Sequence, residues 1–380
     1  MNLNYALSHW EWNSFFKDID CLIIGGGIVG LSAAIHLKIA SPNLSVLLLD
    51  RGSLPIGAST RNAGFACFGS LSELIDDLKH SSRDDILSLV EQRFRGLQLL
   101  RQRYGDTAIG YEALGGFEVF RERDTAIFEN CQEQMDNFNK DLRPITKQET
   151  YAIVDKKIST NGLQGVAHLI LNRAEGQLDT GKLMRTLLDK AQSIGIRWIG
   201  GIEINQLWES NHGVHLQTSN NWELNAQKVL IATNGFARQL LPDLDVQPAR
   251  NHILITEAIE HLQLRGSFHY DKGYVYFRNV GNRILLGGGR NLDFKGEKTA
   301  SFGEQKNIRK YLEQILQTVI LPDQSVKIDR WWSGIMGVGK HKSPIVKMVG
   351  NNTLAAVRLG GMGVALGTEV GIEAADLLMG

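Results

Sequence analysis

The sequence predicts an α/β chain folded as two domains, one on a parallel sheet and one on a mainly antiparallel sheet. Three observations carry that expectation. A length of 380 residues exceeds what one compact core usually fills. The first fifty residues read as strand, glycine turn, helix, strand. Residues 246–290 read as short alternating strands.

Ile19 to Ile24 is a short apolar, β-branched run, the pattern of a buried parallel strand. From Ile28 the spacing changes: Ile28, Leu31, Ile35 and Ile39 keep one helical face until Pro42. Ser45 to Leu49 is a second buried strand, closed by Asp50. Between strand and helix, Gly25, Gly27 and Gly30 fit G-x-G-x-x-G. The first permits a tight turn, the second lets a pyrophosphate approach, and the third packs helix on strand. The helix N-terminus then offers free N–H groups to phosphates. Asp50 lies where an acid accepts from ribose hydroxyls, so the unit is expected to bind a dinucleotide.

A nicotinamide domain usually continues with another strand–helix–strand. Here the chain runs into RGSLPIGASTRNAGFACFGS (51–70), polar and without strong periodicity. An amphipathic helix follows, with Ile86, Val90, Phe94, Leu97 and Tyr104 on one face and Gly105 as its stop. A polar loop directly after the second strand suits a cofactor that extends past the sheet edge, which favours FAD.

Farther along, LDTGKLMRTLLDKAQSIG reads as a helix capped by Asp179, with Leu183, Leu187 and Ala191 inward and Gly195 as its stop. Short strands follow, broken at Asn211–Gly213 and Asn220–Asn221 and ending in KVLIATNG. In GYVYFRNV, alternation puts Tyr274 and Tyr276 on one face and Val275 and Phe277 on the other. The chain closes with strand, glycine turn and helix. There Gly363, Gly367 and Gly371 recur every four residues and leave one face bare for close packing on the sheet. Glycine is the unusual count, 40 of 380 against a norm of roughly 7%. It clusters at 25–30, 287–289, 334–339 and 360–367. These are four unrelated turns, or four places where bare backbone approaches one large flat ligand.

Hydrophobic content of 43% and charged content of 22% are those of an ordinary globular protein. Forty-one basic residues balance forty-one acidic ones, so no global field draws in nucleic acid or an anionic bilayer. No transmembrane segment is expected, because no run supplies the ~20 apolar residues a span needs. MNLNYALSHWEWNSFFKDID lacks a basic start before an apolar block, so no secretion signal is expected. Cys21, Cys67 and Cys131 are too scattered for a disulfide frame or a metal site, and a cytoplasmic location is the expectation.

GASTRNAG after such a βαβ unit resembles the family of FAD-dependent amine and amino-acid oxidoreductases that includes D-amino-acid oxidase, glycine oxidase, sarcosine oxidase and γ-glutamylputrescine oxidase. GGFEVF (115–120), EGQLDTGKLMRTLLDKAQSIGI (175–196), VLIATNGFA (229–237), RILLGGG (283–289) and RLGGMGVALG (358–367) fall in the family's order, so the resemblance spans nearly the whole chain. It implies a Rossmann-like FAD-binding domain of the glutathione-reductase type at 1–75, 155–240 and 325–380. The substrate domain would then be 76–154 and 241–324. It implies FAD held by Gly25, Gly27, Ile28, Gly30, Asp50, Arg51, Ser59, Arg61, Asn62, Ala63 and Gly64. Ile204 would serve the adenine side, with Thr233, Asn234 and Gly235 near the pyrophosphate, and Gly334 farther along. Gly360, Gly361, Met362, Gly363 and Val364 would meet the flavin, where the helix dipole stabilises the negative charge of its reduced form. The antiparallel sheet would roof a substrate cavity, with Tyr274 and Tyr276 as the candidates for contact.

RWWSGIMGVGKHKSPIV (330–346) aligns with a block where amino-acid-oxidising relatives read W-x-G-x-R-P, the arginine forking onto the substrate carboxylate. Here that slot holds Met336, which donates nothing. The nearest pattern is that of relatives acting on amines such as γ-glutamylputrescine. A primary or secondary amine is therefore the expected substrate, with any carboxylate held farther off, within reach of Arg278 or Arg290. Oxidation of a D-amino acid, glycine or sarcosine is the alternative, and an NAD-dependent dehydrogenase a remoter one. Sarcosine-oxidase-like members attach the flavin through a cysteine where this chain has Gly334. Non-covalent FAD is thus expected, with Cys67 the alternative anchor. His252 and His341 are read as structural, no general base is assigned, and oxygen or another acceptor would reoxidise the flavin.

Overall fold

In the computed structural model, which describes residues 5–322 and 324–380, Ile19–Ile24 is buried on both faces, as its unbroken apolar run requires. Residues 1–4 of the N-terminal stretch read for a secretion signal lie outside the described residues. The strand pairs in parallel with Val46–Asp50 on one side and Glu223–Ile231 on the other. Thr353–Val357 and Ile345–Met348 extend this sheet at one edge, and Arg197–Gly200 at the other. Ile204–Ser210 and Gly213–Thr218 form the expected meander, antiparallel to the first half of Glu223–Ile231.

The helix Ile28–Ala40 and the C-terminal helix Gly363–Met379 lie against each other. Glycine allows the approach. A Cβ at Gly367 would stand 2.6 Å from Ile28 Cγ2, and one at Gly371 2.6 Å from Val29 O. The bare helical face thus meets another helix, not the sheet. Ile39, expected on the buried face of Ile28–Ala40, is 57% exposed, because Leu37 takes the inward position in the last turn. Arg83–Tyr104 is capped by Ser82 and stopped at Gly105 (φ 80°), and Gly96 brings it onto Ala365 of the C-terminal helix. Asp179 caps Thr180–Ser193 by accepting from Lys182 N at 2.9 Å. A further helix, Thr125–Thr146, buries Phe128, Cys131, Met135, Phe138 and Leu142.

The second sheet runs Ile328–Val338, Gln247–Thr256, Arg283–Gly288, Val275–Val280, Ser267–Tyr270, Gly116–Phe120, His168–Asn172, Tyr151–Ile153. It is antiparallel apart from the pair Ser267–Tyr270 and Gly116–Phe120. His168–Asn172 and Ile328–Val338 belong to this sheet, because their register partners are Phe120–Gly116 and Thr256–Gln247. Conversely, Arg83–Tyr104 packs on the C-terminal helix of the nucleotide side. The two-domain α/β architecture stands. Among the described residues, no helix is long and apolar enough to cross a membrane.

Candidate active site

Two cavities lie where the parallel strands end against the second sheet, one of about 450 Å³ and one of about 100 Å³. Gly27, Ala58, Ser59, Ala232 and Asn234 wall both, so the two run into each other as one elongated space.

The smaller cavity holds the dinucleotide signals. Gly25 turns at φ 113°, and a Cβ there would strike Ala232 O at 2.7 Å. A Cβ on Gly27 would stand 2.7 Å from Ser59 Oγ, which accepts from Ile28 N at 2.9 Å. Asp50 accepts from Gly26 N at 2.8 Å and from Gly52 N at 2.9 Å, and burial raises its pKa in spite of these bonds. Arg51 stacks 3.7 Å over the Phe236 ring. Ile204 and Thr233 complete the wall, and Thr233 Oγ1 is buried without a partner among the described residues.

The larger cavity is lined by Arg61, Asn62, Ala63, Gly334, Gly360, Gly361, Met362, Gly363 and Val364. The loop that carries the first three is fixed from several sides. Asn62 Oδ1 accepts from Gly64 N at 2.7 Å and Thr180 Oγ1 at 3.0 Å, and Arg61 O accepts from Trp332 Nε1 at 3.0 Å. A Cβ at Gly360 or Gly361 would meet nothing within 4 Å, and one at Gly363 only Leu359 Cβ at 4.0 Å. The C-terminal helix starts at Met362 with no side-chain cap, so bare backbone and open N–H groups face the space. A cradle open over three glycines and an orphaned hydroxyl at the far end fit an extended dinucleotide with a flat ring system.

Gly30, Gly64 and Gly235 line neither cavity; they serve close packing. Their Cβ atoms would strike Gly25 O at 2.0 Å, Leu178 O at 2.3 Å and Met336 O at 2.5 Å. Gly287–Gly289 likewise faces away: the Tyr276 ring lies over Gly287, and Gly289 (φ 76°) ends a strand. Three of the four glycine clusters converge on the cavities.

The second sheet supplies the remaining wall. Tyr274, Tyr276 and Met336 line the larger cavity, while Val275 and Phe277 point into the core. Met336 Sδ accepts from Asn251 Nδ2 at 3.8 Å. Burial pushes the Tyr276 phenol up. Arg290 lines the cavity and Arg278 does not. Arg278 is buried beside Gly64 with Nε unpartnered, and burial pushes it down to about 10 against the opposing charges of Asp179 and Glu112. Cys67 lies in the wall, its Sγ 3.8 Å from Met362 Sδ, and burial raises its thiol. His341 also lines the cavity. His252 does not; it is buried, with Nε2 2.9 Å from Glu297.

Asn251, His269, Glu73 and Lys342 are cavity residues that sequence reasoning did not single out. They come from four separate segments, and no spacing links them. His269 Nε2 stands 3.6 Å from Glu175 Oε2. Lys342 Nζ donates to Glu73 and Asp77 at 2.8 and 2.9 Å, tying two cavity walls together.

The family described as "FAD dependent oxidoreductase" (DAO) matches residues 20–377. The chain is 24% identical over 376 residues to γ-glutamylputrescine oxidoreductase of Escherichia coli (strain K12), covering 95% of this chain and 84% of that protein. It is 24% identical to 4-methylaminobutanoate oxidase (formaldehyde-forming) of Paenarthrobacter nicotinovorans over 70% of this chain, but spans only 31% of that protein. Among solved structures, its fold is that of L-proline dehydrogenase from P. horikoshii (TM-score 0.75, 16% identity, 96% and 94% coverage). It is equally that of glycine oxidase from Geobacillus kaustophilus (TM-score 0.74, 21% identity, 95% and 94% coverage). The chain belongs to this family: it is an FAD-dependent oxidoreductase related to amine and amino-acid oxidases.

Proposed function

We propose that the chain oxidises the carbon–nitrogen bond of a small primary or secondary amine. Met336 carries this reading. It occupies the cavity wall, its polar neighbour is the Asn251 amide, and the resemblance to the family puts the carboxylate-binding arginine of amino-acid-oxidising members at this position. An α-carboxylate brought there would give up its hydration for a thioether that donates nothing, at a cost of several kcal/mol. Two relatives named for amine substrates, γ-glutamylputrescine and 4-methylaminobutanoate, support the same reading.

Bound FAD supplies the hydride acceptor. The protein positions the amine between Tyr274, Tyr276 and Met336, and Phe65 and Ile253 help keep water out. An uncharged amine has its lone pair available, so no side chain is assigned as a base. The imine product hydrolyses to a carbonyl compound and ammonia or amine. Oxygen or another acceptor completes the cycle. FAD is held non-covalently: Gly334 has no side chain to bond it, and burial keeps the Cys67 thiol protonated. Three free, buried thiols accord with a cytoplasmic location.

Anaerobic mixing with amines, N-alkyl amino acids and ω-amino acids, followed by loss of flavin absorbance, tests the proposal. At least one amine should bleach the flavin. Glycine, sarcosine and D-alanine should turn over below roughly 1 s⁻¹. Faster turnover of any of the three rejects the amine preference, and a flavin bleached by none of the compounds rejects the reaction.

A further inference from the structure

We infer that Arg290 anchors a carboxylate carried by the substrate at the end remote from the reacting carbon–nitrogen bond. This rests on the amine-oxidation reading and adds a substrate class, amines bearing a terminal carboxylate.

The ground is how each cation inside the larger cavity is held, by an ion pair or by a backbone carbonyl. Arg61, Arg93, Lys272, Arg290, Lys342 and Arg358 line it. Five of them are held by the protein. Arg61 donates to Ser333 O at 3.1 Å and Arg93 to Phe68 O at 2.8 Å. Lys272 pairs with Asp76 at 2.9 Å, Lys342 with Glu73 and Asp77, and Arg358 with Asp245 at 2.6 Å. The Arg290 guanidinium has no hydrogen-bond or ion-pair partner among the described residues; it has only the Phe294 ring, 4.9 Å away.

Nearby acids are committed elsewhere. Glu297 takes Arg250 Nε and Nη2 at 2.8 and 2.9 Å and His252 Nε2 at 2.9 Å. Asp293 accepts from Gly296 N at 2.8 Å and Gln305 Nε2 at 2.9 Å, and Asp271 accepts from Asn291 Nδ2 at 2.8 Å. A half-buried guanidinium without a counter-ion loses part of its hydration and gains no opposite charge in return. Burial accordingly depresses its pKa, with Tyr274 and Glu297 acting in the opposite direction. A carboxylate from outside restores the balance through a forked pair.

The backbone fixes where that pair forms. Gly289 N donates to Tyr274 O at 2.8 Å, ends Arg283–Gly288 and starts the turn Arg290–Leu292, so Arg290 enters the wall next to Tyr274. Met336 lies two strands away, across Gln247–Thr256. Two strand spacings are roughly 10 Å. A carboxylate on Arg290 is therefore separated from the slot at Met336 by a spacer of several bonds. That favours ω-amino or ω-alkylamino carboxylates over α-amino acids.

The test uses the FAD-loaded enzyme and two readouts. Acetate, butanoate and hexanoate are titrated against the visible flavin spectrum, which needs no turnover. Anaerobic flavin reduction is then compared for 4-aminobutanoate and butylamine. Wild type should bind the longer carboxylates more tightly than acetate and reduce faster with 4-aminobutanoate. Arg290→Ala should weaken carboxylate binding about 30-fold or more and erase the preference for 4-aminobutanoate. Arg290→Lys should keep part of both, and both variants should retain FAD. Carboxylates that bind Arg290→Ala as tightly as wild type, or not at all to wild type, overturn the anchor. Loss of FAD from Arg290→Ala also overturns it, by assigning the guanidinium to the cofactor. Amines that reduce the flavin irrespective of a carboxylate sink the anchor and leave the reaction standing. Carboxylate binding that depends on Arg290, with no amine bleaching the flavin, does the reverse.

Discussion

His269 gives the cavity a pH dependence whose sign is fixed by its neighbours. Glu175 faces its Nε2 at 3.6 Å and is itself pinned by Phe68 N and Gly69 N at 2.9 and 3.0 Å. Glu118 and Glu73 add negative charge, with Arg93 and Lys342 among the opposing cations. Burial works against the charged ring, but Glu175, Glu118 and Glu73 outweigh it and raise the imidazole above its ordinary value. A raised folded pKa stabilises fully below the unfolded value of about 6.5, and that stability is lost as pH rises through the folded one. The stability gap between wild type and His269→Gln should therefore be widest near pH 6 and narrow towards pH 9, read by denaturant unfolding. A gap that does not change with pH would show that folding leaves the imidazole pKa at its unfolded value. Residues of this kind were hard to read from the chain. Tyr274 and Tyr276 were legible because a strand alternates with period two. His269 and Asn251 acquire meaning only from register, which sets His269 opposite Tyr276 and Asn251 opposite Gly334.

The C-terminal helix separates two uses of glycine that look identical in sequence. Gly367 packs on Ile28, and an added methyl there would stand 2.6 Å from Cγ2. Gly367→Ala should thus cost about 1–3 kcal/mol of stability, with or without FAD, because the two helices must move apart. Gly361 faces open space. Gly361→Val should leave the apoprotein's unfolding free energy within about 0.5 kcal/mol of wild type while weakening FAD binding by ~10-fold or more, followed by flavin fluorescence. An unchanged FAD affinity would place the cofactor away from Gly361. The βαβ unit, the meander and the Asp179-capped helix were legible because each is specified by local spacing. The helix Thr125–Thr146 carries the same three-and-four spacing and was open to the same reading. Membership of His168–Asn172 and Ile328–Val338 in the second sheet was not legible, because pairing partners lie as far apart as Gln247 and Val338 and no local signal names them.

At the scale of the whole molecule, the elongated space is bounded by both sheets. The Gly25–Ile28 turn, the 58–63 loop and the 359–364 turn approach it from the nucleotide side, and Asn251, Tyr274 and Met336 from the other. A ligand filling it ties together segments that otherwise meet across a gap, so cofactor binding and global stability are coupled. Because FAD binds the folded chain and not the unfolded one, the holoprotein gains RT ln(1 + [FAD]/Kd), about 2.7 kcal/mol when free FAD is 100 times Kd. For a chain of this length that corresponds to a rise in Tm of roughly 2–4 °C. Stripping the flavin should lower Tm by such an amount, and adding FAD back should restore it progressively with concentration. Acid precipitation should leave the yellow colour in the supernatant, as non-covalent binding requires. Colour that stays with the precipitate would point to a covalent link, with Cys67 as the first thiol to test, and a Tm indifferent to FAD would show that free FAD does not bind the folded chain in preference to the unfolded one.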